Sequence, residues 1–159
     1  MPTIFYAPSH CVFWRKSELI LFDIGQKISI TQAKLMNPVV LAYLGDAVHS
    51  LYVREKLAFN SDAKSGELNK REAKLVCAGA QADLVGRILP LLTDEESDIY
   101  RRAKNSKKIS KAKNQSPANY CKSTGFEAVI GYLYVTGQVQ RMNELLNLSD
   151  SKGEEINDG

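Results

Sequence analysis

Beyond residue 30, apolar residues recur at helical spacing along most of this chain. Leu41, Leu44, Val48 and Leu51 fall three or four residues apart, and Ala42, Tyr43, Ala47, Tyr52 and Val53 fill most of the remaining circumference. A helix apolar nearly all round predicts a central helix. Asn37-Pro38 fits its start, with Asn37 as N-cap and Pro38 in the first turn, where its missing N–H costs nothing. The pattern runs to about Leu57 or Ala58, and Asn60-Ser61-Asp62 breaks it. Ser29-Ile30-Thr31-Gln32 leads into a shorter helical stretch ahead of it. Ser65-Gly66-Glu67 opens a further helix that includes Leu68 to Val76. Ala78 to Leu89 continues or follows it and stops at Pro90. Thr93 caps the next helix, which carries Asp94, Glu95 and Glu96 at the positive end of its dipole and runs to about Ala103. Asn105 to Asn114 reads as loop, with Pro117 in it or just beyond. Lys122 to Val135 is the last long helix, with Phe126, Val129, Ile130 and Leu133 on one face. Gly137 interrupts it, and Val139 to Leu146 forms a short terminal helix. Residues 1 to 30 resist such a reading: Val12 to Asp23 fits a strand or a short helix, with Gly25 as a break. With little β signal after residue 30, the chain is expected to be an all-α domain of about six or seven helices. Its expected layout is an N-terminal extension over 1–30, the helical domain over 31–147 and a disordered acidic tail over 148–159.

Composition narrows the class. At 159 residues and 44% hydrophobic content, one domain with a real core is expected rather than two. No apolar run approaches the ~18 residues a membrane helix needs, and the first thirty residues match neither a secretory signal nor a transit peptide. Cys11, Cys77 and Cys121 are odd in number, far apart and in no ligand spacing, which points to reduced thiols in the cytoplasm. The net charge of +3 hides a sharp asymmetry. Seven basic residues and no acid lie between Arg101 and Lys113, namely Arg101, Arg102, Lys104, Lys107, Lys108, Lys111 and Lys113. Asp150, Glu154, Glu155 and Asp158 reverse the sign at the C-terminus.

Two carboxylates stand out against this background. Asp46 falls in the middle of the first long apolar helix, and an ionised Asp there is costly to desolvate unless a cation or several donors meet it. Either something charged comes to Asp46, or Asp46 lies at the edge of a cleft. Glu127 sits in the other strongly apolar helix, and Gly131, one turn on and on the same side, lets a neighbouring helix come close. Taken singly, each acid has a structural reading; for Asp46 it is to cap a neighbouring helix or pair with an Arg. Together they suggest carboxylates that face each other. Such oxygens suit Mg²⁺, which keeps several waters and takes one or two carboxylates plus substrate phosphate. With an acid-free basic loop for phosphate backbones, metal-assisted phosphodiester hydrolysis is the natural hypothesis. His49, three residues after Asp46, reads as a packing or hydrogen-bonding histidine before a general base. Tyr43 reads as packing, and Trp14 as a core or interface anchor.

These residues also carry a resemblance. Leu41-Ala42-Tyr43-Leu44-Gly45-Asp46-Ala47-Val48 resembles the signature helix of the ribonuclease III catalytic domain, whose Leu-Gly-Asp core bears a metal-binding Asp. Phe126-Glu127-Ala128-Val129-Ile130-Gly131 resembles the second signature, which brings the metal-binding Glu. Ser65-Gly66-Glu67-Leu68 and Leu75-Val76 fit the region between, and the match spans roughly 30 to 146. Arg101-Arg102-Ala103-Lys104-Asn105-Ser106-Lys107 is similar to the basic loop of the Mini-III subgroup, which consists of the catalytic domain alone. Because the second signature is followed so soon by the end of the sequence, no double-stranded-RNA-binding domain is expected after it.

The resemblance implies the ribonuclease III endonuclease-domain helical fold, a homodimer, and Mg²⁺-dependent endonucleolytic cleavage of double-stranded RNA that leaves 5′-phosphate and 3′-hydroxyl ends. The natural substrate it implies is the 23S ribosomal RNA precursor, with a ribosomal protein as a further partner. Asp46 is then the principal metal ligand, and Glu127 the second ligand or the orienter of a bound water. Arg101, Arg102, Lys104, Lys107 and Lys108 are the candidates for RNA phosphate contacts. Three positions depart from the pattern: Ala42 and Thr124 stand where ordinary ribonuclease III carries acids, and Ser65 where an acid often does. Two carboxylates fit one well-held Mg²⁺ more readily than a two-metal clamp. The missing acids also leave open a non-catalytic RNA-binding or ribosome-associated module that kept the fold.

Overall fold

The structure, a computed structural model, describes residues 25–106 and 116–148. The expectations for Cys11, Trp14 and the Val12–Asp23 stretch, for Lys107, Lys108, Lys111 and Lys113, and for the acidic tail lie outside these residues.

Seven α-helices and one 3₁₀ turn make up the described residues, with no strand among them. They are α1 (Ile30–Leu35), α2 (Pro38–Phe59), α3 (Ser65–Leu75), α4 (Ala78–Ile88), the 3₁₀ turn Leu89–Leu91, α5 (Asp94–Lys104), α6 (Pro117–Val135) and α7 (Val139–Asn147). Local chemistry sets most of the boundaries. Asn37 Oδ1 accepts the Val39 amide at 3.0 Å, ahead of Pro38 in the first turn of α2. Thr93 and Glu96 form a reciprocal capping box at the start of α5, with bonds of 3.2 and 2.9 Å. At the end of α6, the Gln138 amide reaches the Leu133 carbonyl at 2.9 Å and that of Gly137 reaches Tyr134 at 3.1 Å. Gly137 takes φ +71° to close this Schellman turn, which is why the helix stops there.

One boundary differs from expectation. α6 begins at Pro117 rather than Lys122, because Ser116 Oγ accepts the Asn119 amide at 3.2 Å and Pro117 occupies the first helical position. The first turn of α6 carries no apolar stripe, so hydrophobic periodicity alone could not register it.

Helix α6 is the centre of the molecule, with α2, α4 and α5 packed around it. It buries Phe126, Ala128, Val129, Ile130, Tyr132 and Leu133 almost completely, each large side chain contributing about 1.5–3 kcal/mol of transfer free energy. α2, expected to be equally central, is not. It buries Leu41, Ala42, Gly45, Val48, His49, Tyr52 and Val53, one broad stripe that faces α6. A second stripe remains exposed: Val40 is 47% accessible, Tyr43 79% and Leu51 38%, with Ala47 exposed between them. α2 is therefore apolar on two faces, and the helices of the described residues pack on only one.

The crossing of α2 and α6 depends on two glycines. A Cβ on Gly45 would stand 1.8 Å from the Glu127 carbonyl oxygen, and a Cβ on Gly131 would stand 2.0 Å from that of Leu41. Backbone meets backbone at both points, and neither oxygen can swing aside as a side chain could. Among the described residues no helix is long and apolar enough to cross a membrane.

Candidate active site

The glycine crossing brings the two singled-out acids together. Gly45 immediately precedes Asp46, and the backbone it touches is that of Glu127. Both carboxylate residues line one cleft of about 420 Å³, walled by Val39, Ala42 and Tyr43 from α2, Tyr120, Ser123 and Thr124 from α6, Gln81 from α4 and Val76. Ala42 and Thr124, the positions without the expected acids, line this same cleft. It holds two carboxylates where four positions face it.

The two acids differ in setting. Asp46 is exposed at the edge of the cleft, one of the two alternatives its sequence setting left open, and it borders the exposed stripe of α2. Neither structural reading of Asp46 holds among the described residues: it caps no helix and forms no ion pair there. Glu127 is half-buried. Its carboxyl is pushed up to about 7, first by burial and then by the neighbouring charge of Asp46, while a hydrogen bond from Gln81 pulls the other way. A divalent cation in this cleft would relieve both upward pressures. Among the described residues no group of three or more His, Cys, Asp or Glu side chains forms a metal cage. That donor set suits Mg²⁺, which keeps several waters and needs few protein oxygens.

His49 lies behind this cleft rather than on its wall. It is 2% exposed and meets the Phe126 ring edge-on, with centroids 5.2 Å apart. Burial pulls its pKa down to about 4, so it is neutral at physiological pH. Its Nδ1 faces the Gln81 amide nitrogen at 3.2 Å. Gln81, 2% exposed, is the site residue that sequence reasoning missed. The signal was available: Gln81, Leu84, Val85 and Ile88 form the buried stripe of α4 at helical spacing, and Gln81 is the polar member of it.

The basic candidates are divided. Arg101, Arg102 and Lys104 occupy the last turn of α5, where cations also suit the negative end of the helix dipole. Arg102 is engaged elsewhere: its guanidinium donates to the Lys34 carbonyl at 2.8 Å and the Met36 carbonyl at 3.2 Å, fastening the end of α1. Arg101 pairs with Asp98 at 2.5 Å on the surface of the same helix, with its side chain 71% exposed. Lys104 is exposed.

The described residues are helical throughout, and an Asp from one long helix shares a cleft with a Glu from another. The Ribonuclease III domain matches residues 39–138. The chain is 42% identical over 109 residues to a Mini-ribonuclease 3 of Symbiobacterium thermophilum, covering 69% of this chain and 84% of that protein. It is 44% identical over 114 residues to a Mini-ribonuclease 3 of a Thermoanaerobacter species, covering 72% and 80% respectively. A crystal structure of a protein from Fusobacterium nucleatum superposes with a TM-score of 0.66 at 29% identity, covering 76% of this chain and 95% of that one. The chain belongs to the ribonuclease III family, as a member of its Mini-ribonuclease 3 group. It is an endoribonuclease, which sets aside the non-catalytic module.

Proposed function

We propose that this protein is a Mg²⁺-dependent, homodimeric endonuclease of double-stranded RNA that matures the 23S ribosomal RNA precursor in the cytoplasm. The observation that carries the reading is the pairing of Asp46 with Glu127 in one cleft with no Lys or Arg among its described lining residues. Asp46, exposed and without an ion-pair partner among the described residues, is the principal ligand. Glu127 is the second ligand or orients a bound water. When bound there, Mg²⁺ supplies a water of lowered pKa and a positive charge against the phosphate. The chain's own contribution is placement: the Gly45–Gly131 crossing holds two carboxylates from different helices at one point, and burial keeps Glu127 from being freely solvated. No covalent nucleophile is required, and the products carry 5′-phosphate and 3′-hydroxyl ends.

Duplex RNA is recognised chiefly by its shape, its phosphates and its 2′-hydroxyls. Arg101, Lys104, Lys107 and Lys108 are the proposed phosphate contacts, while Arg102 holds the end of α1. A ribosomal protein bound to the precursor is a further proposed partner. The exposed stripe of Val40, Tyr43, Ala47 and Leu51 supports the homodimer reading, in which a second copy covers it. Two cleavage sites would then lie along one duplex.

The deciding experiment incubates the protein with a long RNA duplex and Mg²⁺ beside Asp46→Asn. Cleavage should require Mg²⁺ and fall by at least about 10²-fold in the variant, the scale of losing several kcal/mol of transition-state stabilisation. A wild-type protein that cuts equally well in EDTA overturns the metal reading, and equal cleavage by both proteins removes Asp46 from it.

A further inference from the structure

Behind the two acids lies a buried polar array that the cleavage chemistry does not itself use. Gln81, Ser123 and His49 are 2%, 5% and 2% exposed. Ser123 Oγ donates to Gln81 Oε1. Gln81 Nε2 donates to His49 Nδ1 at 3.2 Å, which puts the histidine proton on Nε2. Gln81 lines the same cleft as Glu127, and its amide acts on that carboxylate to lower its pKa. A primary amide has one acceptor oxygen and two N–H donors; the oxygen meets Ser123, one N–H meets His49, and the second is left for the Glu127 carboxylate. Turned over, the amide would set its oxygen against the Glu127 carboxylate, which demands a donor.

We propose that Gln81 is a positioning residue that fixes the Glu127 carboxylate for its metal, with Ser123 and His49 holding the Gln81 side chain in place beside it. The inference rests on the reading of Asp46 and Glu127 as the metal site. The choice of an amide has a physical reason. An Arg or Lys at this point would also orient Glu127, but it would neutralise the acid and compete with a divalent cation. A neutral donor holds the carboxylate in place and leaves its charge for the metal. Ser123 sits one turn before Glu127 on α6, so the same helix supplies the ligand and part of the device that orients it.

Partners of this kind, removed from beneath a metal ligand, typically cost 10- to 100-fold in metal affinity or activity. The test titrates MgCl₂ into unaltered protein, Asp46→Asn, Gln81→Met and Ser123→Ala by calorimetry. It adds melting temperatures and duplex binding in EDTA for each. Gln81→Met keeps the side-chain length and removes every hydrogen bond. It should weaken Mg²⁺ binding about 10- to 100-fold and lower kcat, while duplex binding in EDTA stays within about two-fold. Ser123→Ala removes a small buried hydroxyl and should weaken Mg²⁺ binding several-fold; it decides the matter if Gln81→Met does not fold. Unchanged Mg²⁺ affinity in a folded Gln81→Met, or in Ser123→Ala when that variant alone folds, overturns the proposal and leaves Gln81 as packing between α4 and α6. If Asp46→Asn and the unaltered protein bind Mg²⁺ alike, it is the metal-site reading that falls instead.

Discussion

Two regions of this molecule gather carboxylates, and they treat them in opposite ways. At the junction of α5 and α7, Glu96 is 3% exposed, yet its cation is built in. Arg141 lays Nε and Nη2 on the two Glu96 oxygens at 2.9 and 3.0 Å, and Nη2 also reaches the Leu91 carbonyl at 2.6 Å. Burial pushes the Glu96 carboxyl up, but the Arg141 and Thr93 hydrogen bonds outweigh it and hold the group below the usual range. Beside it, Glu95 pairs with Lys34 and accepts the Tyr132 hydroxyl at 3.1 Å. The cleft at that junction, about 560 Å³, is the larger of the two, yet its central acid is already satisfied. In the cleft between α2 and α6, by contrast, Glu127 is raised and Asp46 is its charged neighbour. An acid that brings its own cation is a clamp. The pair at the other cleft has no Lys or Arg among its described lining residues. Cavity size does not separate these cases, but charge balance does.

The sharpest way to break this comparison is to remove the built-in cation. Arg141→Ala leaves Glu96 buried and uncompensated, and should cost about 3 kcal/mol, the low end for a buried pair because Arg141 keeps 27% of its side chain exposed. Urea unfolding measures it, and cleavage at a temperature where the variant is folded should be unchanged. A parallel loss of cleavage would mean that the two regions are coupled.

Next in size is the glycine crossing. Gly45→Ala drives a methyl group into the Glu127 carbonyl and should cost roughly 1–3 kcal/mol in stability. It should also cost cleavage out of proportion, up to about 10²-fold, because the helices that hold the two acids must separate. Gly66→Ala is the control: a Cβ there meets nothing within 4 Å.

The pH dependence should differ in sign between the regions. Glu127 ionises near 7 in the folded protein and near 4.5 when unfolded, so the folded state holds the extra proton between those values. Its contribution to metal-free stability therefore falls as pH rises from about 4.5 to about 7. Glu96, whose folded pKa is lowered, contributes stability that is present above 4.5 and lost as pH falls through its folded pKa. Comparing Glu127→Gln with the unaltered protein across this range cancels His49, which titrates between about 4 and 6.5. The variant should gain on the unaltered protein up to about pH 7 and hold level above it. A flat difference would show that Glu127 is not raised.

The smallest effect concerns RNA affinity. Replacing Lys104 by Gln should lower the salt slope of duplex binding by about one unit for the lost phosphate contact, and Arg101→Gln should act similarly. Arg102→Gln should act instead on stability, through the carbonyls of Lys34 and Met36.

Much of this was legible before any coordinates. The caps at Asn37 and Thr93 are local chemistry: a side-chain oxygen a few residues from an orphan amide forms the same bond wherever the helix ends up. Asp46, Glu127 and Gly131 stood out because each conflicts with its apolar surroundings, and such conflicts mark function or close approach. Periodicity was blind to the first turn of α6, whose Ser116-Pro117 start carries no apolar stripe.

What the sequence by itself determined, then, is the set of helices, most of their ends and the two acids out of place. Nearest-neighbour hydrogen bonding and the 3.6-residue repeat are enough for that. Only the tertiary structure decided which face of each helix is covered. It left Asp46 exposed on α2, set Gln81 beneath Glu127 and assigned Arg102 to the end of α1. Those outcomes depend on which helix lies across which, and that crossing is set by backbone contact at Gly45 and Gly131, across more than eighty residues of intervening chain.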